Sequence, residues 1–252
     1  MRLRSIMATV ACFIVMAPAH GAQTPYRVSL IGDGYDGTAW HTGVLIELDD
    51  GWKTYWRMPG EAGIPPEFTW KSSVPADIVV LFPVPGRFRD ASGETVGYEN
   101  AVVFPVTVNA GAATGVKLDL GIFFAVCKDV CIPAQATARI ELGSAILDPS
   151  GSAQVAKAEA LLPVPGTIAT SASVELDGTR PTLVLALENK PDDIFVETSS
   201  SAYFRAPEFS NGGREARLII DNVPDIAKLK GVPIRLTAAI GGRGVEQTLT
   251  LP

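Results

Sequence analysis

The chain is short of cysteine, histidine and basic charge, and each shortage narrows its chemistry. Of 252 residues only three are Cys and two are His. So few thiols rule out a disulfide-framed scaffold, and a closed zinc site would lack its remaining ligands unless carboxylates served. Lys and Arg number 21 against 27 Asp and Glu, a formal net charge of −6. That balance excludes a nucleic-acid partner as the default reading. After the N-terminus no apolar run approaches the ~20 residues that cross a bilayer as a helix. Long helices also have little room, because 24 Gly and 19 Pro punctuate the sequence.

The N-terminus has the three parts of a secretion signal. Arg2 and Arg4 open it, an apolar run from Ile6 to Pro18 follows, and small residues occupy Ala19–Ala22. Residues 1–22 therefore read as a leader removed on export, with the mature chain starting near Gln23. Cys12 lies inside the apolar run and leaves with it. The mature protein is expected to be soluble, with no membrane span of its own.

Short runs of alternating hydrophobicity recur through the rest of the chain: Tyr26–Ile31, Gly43–Leu48, Ile78–Phe82, Val102–Val108, Val116–Leu120 and Thr137–Leu142. Gly, Pro, Asp and Asn clusters separate them, the pattern of an antiparallel sandwich. One stretch differs. Ser150–Leu162 is rich in helix formers, offers Ser150 or Ser152 as an N-cap, and is stopped by Pro163 and Pro165. Strand patterning resumes beyond it, with the Asn211-Gly212-Gly213 turn among its punctuation. The expectation is an all-β protein of two tandem immunoglobulin-like β-sandwiches: a domain over 23–148, a helix and Pro-rich linker over 149–165, and a second domain over 166–252. The second domain holds no cysteine and no histidine, so docking or spacing is its default role.

Without the leader two cysteines remain, Cys127 and Cys131, in the order CKDVC. Four extended residue steps span roughly 13 Å, whereas disulfide-bonded Cα atoms lie about 4.4–6.8 Å apart, so the backbone must turn between them. A hairpin tip fits. Three readings stay open: an inert local staple, a redox pair, or a Cu(I) site in which Met58 or His41 assists the thiolates. The redox reading is favoured, because closing so small a ring removes little entropy from the unfolded chain and its structural value is modest. Lys128 would support a neighbouring thiolate and Asp129 would oppose it. No thioredoxin-type motif is present, since three residues separate the cysteines rather than two.

Other polar residues carry weaker signals. His41 beside Trp40 reads as a surface or packing residue, and Asp49-Asp50 and Asp192-Asp193 as solvated turn residues. The aromatic block Trp52–Trp56 (WKTYW) reads first as core packing of the first sandwich. Its alternative role is to wall the cysteines with Tyr55 and Trp56.

Four segments together resemble the N-terminal periplasmic domain of the DsbD and ScsB thiol:disulfide interchange proteins. They are DGWKTYWRMPGEAGIPPEFTW (50–70), FPVPGRF (82–88), GYENAVVFPVTV (97–108) and FFAVCKDVCIP (123–133). The ScsB-like branch is the more similar, and it also carries a second immunoglobulin-like domain. The resemblance implies a periplasmic location and redox roles for Cys127 and Cys131, with Cys131 the one that joins a client in a mixed disulfide. It places Tyr55, Trp56, Phe88, Lys128, Asp129 and Pro133 around them, with Phe88 as a cap over the disulfide. It implies a membrane-embedded DsbD/ScsB-like electron donor and thioredoxin-like or other periplasmic disulfide proteins as partners, and no cofactor. Longer family members continue into a membrane-spanning conduit and a thioredoxin-like domain, whereas this sequence ends at Pro252, so a separate protein is expected to reduce it. ScsB-like proteins are also associated with copper tolerance, which keeps the Cu(I) reading of Cys127, Cys131 and Met58 as the alternative.

Overall fold

A computed structural model describes residues 24–252 except 61–62, 91–92, 112, 144–147, 179, 200–201 and 224. The leader expected over 1–22, with Cys12, lies outside the described residues.

The first half is built from ten strands: β1 (Tyr26–Tyr35), β2 (Trp40–Leu48), β3 (Lys53–Gly60), β4 (Glu67–Ser72), β5 (Asp77–Val80), β6 (Gly86–Asp90), β7 (Gly93–Glu99), β8 (Ala101–Asn109), β9 (Val116–Cys127) and β10 (Cys131–Leu142). They form two antiparallel sheets, one ordered β1-β2-β8-β5 and the other β10-β9-β3-β7-β6, with β4 also paired to β9. Strand β9 shows why they close on one another. Its residues Val116, Leu118, Leu120, Ile122, Phe124 and Val126 are all at most 3% exposed and point into one core, as period-two alternation requires. Val44, Ile46, Phe104 and Val106 of the facing sheet meet them. Phe104 is the hub, in edge-to-face contact with Phe68, Phe82 and Tyr98.

Helix α1 (Pro149–Glu159) follows and packs on β1, β2 and β8. It is shorter than the Ser150–Leu162 expected, and its cap is neither Ser150 nor Ser152 but Asp148, whose carboxylate accepts from the Gly151 N–H at 2.8 Å. Pro149 explains the earlier start, because proline suits the first helical position, where its missing N–H is no loss. The same carboxylate accepts from Gly32 of β1 at 3.1 Å and so ties helix to sheet. Val155 fills the space above Gly43 of β2, where a Cβ would lie 2.9 Å from it.

The second half comprises β11 (Val164–Pro165), β12 (Ala169–Asp177), β13 (Arg180–Leu187), β14 (Asp193–Thr198), β15 (Tyr203–Phe204), β16 (Glu208–Ser210), β17 (Glu215–Asp221), β18 (Pro233–Ile240) and β19 (Arg243–Thr250). One sheet is ordered β11-β19-β18-β14 and the other β12-β13-β17-β15, with β16 also on β17. A separate core lies between them, with Ile194 and Leu236 from the first sheet and Leu183, Leu185 and Leu218 from the second. The linker is partly structured: Val164–Pro165 pairs in parallel with β19, and the Gly166 N–H continues to Glu246 O at 3.0 Å. The architecture is that expected from the sequence, two tandem immunoglobulin-like sandwiches with one helix between them.

Candidate thiol site

Strands β9 and β10 form a hairpin whose ladder ends with Cys127 opposite Cys131, and the two are joined in a disulfide with Cα atoms 4.1 Å apart. Lys128, Asp129 and Val130 make the exposed tip. Register decides which face the pair occupies. Residues opposite one another in a ladder share a face, so Cys127 and Cys131 both lie on the outer face of the sheet, away from the core that receives Val126. On that face β3 places Lys53 directly across from Cys127.

The two sulfur-bearing residues differ in access. Cys127 is only 5% exposed and packs with Tyr55, Ala125 and Ile64, whereas Cys131 is exposed. Tyr55 of β3 holds its hydroxyl 3.1 Å from Cys131 Sγ. A disulfide sulfur carries no proton, so the phenol is the donor. The neighbouring Thr54 points the other way and donates to Ala125 O at 2.9 Å, which fixes the strand that presents Tyr55. Ile64 reaches the pair from the β3–β4 connection, where Gly63 lies so close to the Tyr55 ring that a Cβ would meet it at 2.6 Å.

The remaining site residues expected from sequence divide into those on this face and those away from it. Lys128 donates to Asp50 O at 2.9 Å and pins the hairpin tip to the β2–β3 turn. Asp129 is exposed at the tip, and Pro133 is exposed one pleat beyond Cys131. Phe88 of β6 shares the outer face, reached through the register Tyr55–Gly97–Gly86. Its ring folds over Gly86 and lies 5.1 Å beneath the Lys53 ammonium. The aromatic contact to a cysteine sulfur comes from Tyr55, and Phe88 stands behind Lys53. Trp56, one residue past Tyr55, faces the opposite way by strand alternation; it is 1% exposed and stands in the main core against Phe195.

Neither side chain considered for copper joins the thiolates. Met58 packs against the main core and, with Glu197, Arg235 and Thr248, lines a cleft between the two halves. His41 places Nδ1 2.7 Å from Glu159 of α1 and Nε2 3.1 Å from Asp36. Burial works against its charge, but these two carboxylates outweigh it and raise the His41 pKa above the ordinary value. Among the described residues no three His, Cys, Asp or Glu side chains gather as a metal site.

Sequence reasoning missed Ile64 and Lys53. Lys53 was visible as an alternate residue of WKTYW two before Tyr55; Ile64 carried no signal, because its contact depends on how a loop folds back.

Fold and site together define a class: an all-β, two-sandwich chain with a disulfide at the turn end of a hairpin. Residues 30–142 match the family described as thiol:disulfide interchange protein DsbD, N-terminal. The whole chain is similar in fold to the crystal structure of the N-terminal periplasmic domain of ScsB from Proteus mirabilis. That match has a TM-score of 0.70 and 22% identity, and covers 90% of this chain and 91% of that one. A marsupial T cell receptor also aligns, at 11% identity over 91% of this chain and 98% of that chain, with a TM-score of 0.18 that carries no weight. No curated protein matches the chain in sequence. Among the described residues no helix is long and apolar enough to cross a membrane.

Proposed function

We propose that this chain is a periplasmic thiol:disulfide interchange module that relays electrons between proteins through Cys127 and Cys131. The observation that carries the reading is the asymmetry of the pair: one sulfur-bearing residue is exposed beside a phenol and the other is buried, within the region that matches the DsbD family.

The asymmetry supports the following order of steps. A donor thiolate attacks Cys131 Sγ, the S–S bond breaks, and its electron pair leaves on Cys127, which takes up a proton. A second donor thiol then attacks its own sulfur in the mixed disulfide and releases Cys131 as a thiolate. The donor dithiol is thereby oxidised and the pair reduced by two electrons, with one proton on Cys127 and Cys131 left as the thiolate. Delivery runs in reverse. The Cys131 thiolate, stabilised by the Tyr55 hydroxyl, attacks a client disulfide, and Cys127 resolves the mixed disulfide by attacking Cys131. Tyr55 and Ile64 act as the cover over the buried sulfur, with Lys53 and Phe88 extending the same face.

The donor in this reading is a membrane-embedded DsbD/ScsB-like protein, and the clients are thioredoxin-like or other periplasmic disulfide proteins. Residues 1–22 serve as the cleaved signal, 23–148 as the redox domain, 149–165 as the connecting helix and linker, and 166–252 as the second domain. The test mixes the reduced mature protein with an oxidised thioredoxin-fold protein and follows both by alkylation and mass. Exchange abolished by Cys127→Ser or Cys131→Ser supports the relay. No exchange, together with one Cu(I) held per reduced chain against a chelator, would replace it with the copper reading.

A further inference from the structure

Strand β14 lies at the edge of its own sheet and turns one face toward the first half of the chain. The residues of that face alternate: Asp193, Phe195 and Glu197. Asp193 takes Arg87 of β6 in a forked pair, Nε to Oδ2 at 2.9 Å and Nη2 to Oδ1 at 3.1 Å. Phe195 is 3% exposed and belongs to the core of the first half rather than its own. It meets the Trp56 ring at 5.8 Å and lies 5.0 Å under the Arg87 guanidinium. Glu197 receives Arg57 of β3 through two contacts of 2.6 Å, and Glu246 of β19 adds a third at 3.0 Å.

These anchors fall on the same two strands that furnish the cysteine face. Arg87 is the neighbour of Phe88, and Trp56 is the neighbour of Tyr55; in each case the next residue along the strand points the opposite way. A second set of contacts holds the β6–β7 hairpin. Glu94 of β7, whose side chain is 10% exposed, accepts from Arg87 and Arg89 of β6, and from Tyr203 Oη at 2.7 Å and the Ala206 N–H at 3.0 Å in the second half. Such a charge-assisted, largely buried arrangement is rigid only while every member is present.

We propose that β14 is a working part of the thiol site: Asp193, Phe195 and Glu197 are positioning residues that fix β3 and β6 from behind and thereby set where Tyr55, Lys53 and Phe88 stand around the cysteines. The second sandwich then does more than space the first. The inference rests on the thiol:disulfide reading for its purpose, but its test does not need a partner protein.

The test uses the full mature chain and the variants Glu197→Gln, Asp193→Asn and Phe195→Leu, each checked for a native near-ultraviolet circular dichroism spectrum. After reduction, the rate of iodoacetamide reaction at each cysteine is followed by mass as a function of pH. Tyr55→Phe gives the reference effect of removing the phenol. Weakening the buttress should slow Cys131 alkylation at low pH by up to about tenfold, the order of one lost hydrogen bond to a thiolate, and should move its titration midpoint upward as Tyr55→Phe does. Combined with Tyr55→Phe the buttress variants should add little, because both act through the same hydroxyl. Folded variants whose pH profiles superpose on that of the unaltered protein, or whose effects simply add to Tyr55→Phe, would overturn the proposal. Should Phe195→Leu fail to fold, the two charge-neutralising variants decide the matter. Failure of the relay itself would appear separately, as absence of exchange with any dithiol protein while these profiles still shifted.

Discussion

Reducing Cys127–Cys131 should weaken the fold only slightly, and the size of the loss follows from the ring it closes. The two cysteines are separated by 4 positions. For a loop of that size the chain-entropy model gives about 2 kcal/mol. The native hairpin does not depend on the bond, because the β9–β10 ladder continues from Cys127–Cys131 to Val116–Leu142 and the core side of β9 is fully packed. Urea unfolding followed by tryptophan fluorescence, with and without reductant, measures the loss directly. In thermal unfolding the same loss appears as a fall in Tm of roughly 4–8 °C. A thermodynamic cycle adds a second reading. Whatever the disulfide adds to folding, folding adds to the disulfide, so the native pair should have a potential about 40 mV more negative than the same pair in the denatured chain. A reduced protein that is unfolded at 25 °C, or native and denatured potentials that coincide, would refute the reasoning.

Three further outcomes follow. Cys127→Ser leaves the exposed Cys131 and should accumulate mixed disulfides with a partner, whereas in Cys131→Ser the remaining thiol is 5% exposed and should alkylate at least about tenfold more slowly than the exposed one, measured by mass against time. The His41 clamp should tighten the helix α1 contact in acid: its pKa is raised in the fold, so its contribution is fully present below the unfolded value of about 6.5 and disappears as pH climbs through the folded one. Urea midpoints from pH 5 to 8 should show this slope in the unaltered protein and not in His41→Gln. Gly97→Ala should cost about 3 kcal/mol in urea unfolding, since the new Cβ would fall 1.9 Å from Thr54 O and force apart the strands that seat Tyr55.

The sandwich architecture was legible because strand alternation is a local signal, and the burial of β9 shows it without interruption from Val116 to Phe124. The hairpin tip was legible from bond geometry alone, since five residues cannot carry a disulfide without turning. Helix α1 was found, but its cap was misplaced: Asp148 also serves Gly32, a partner 116 residues away that no local pattern reveals. The block WKTYW held both of its readings at once, Trp56 in the core and Tyr55 at the sulfur, and only the register of β3 against β9 separates them. Asp193 read as a solvated turn residue, yet it is the carboxylate that takes Arg87 across 106 residues of sequence. His41 likewise read as an isolated histidine, and its two carboxylates arrive from a loop and from the end of a distant helix. Long-range polar pairing leaves no period in a sequence, whereas burial does.

The measurement that bears most directly on the central claim is the reduction potential of Cys127–Cys131 in the mature protein, obtained by equilibrating it in graded thiol buffers and counting alkylated cysteines by mass. A relay pair should have a potential between roughly −270 and −120 mV, the range of proteins that exchange disulfides with one another. A potential below about −300 mV would mark the bond as a structural staple and contradict the relay.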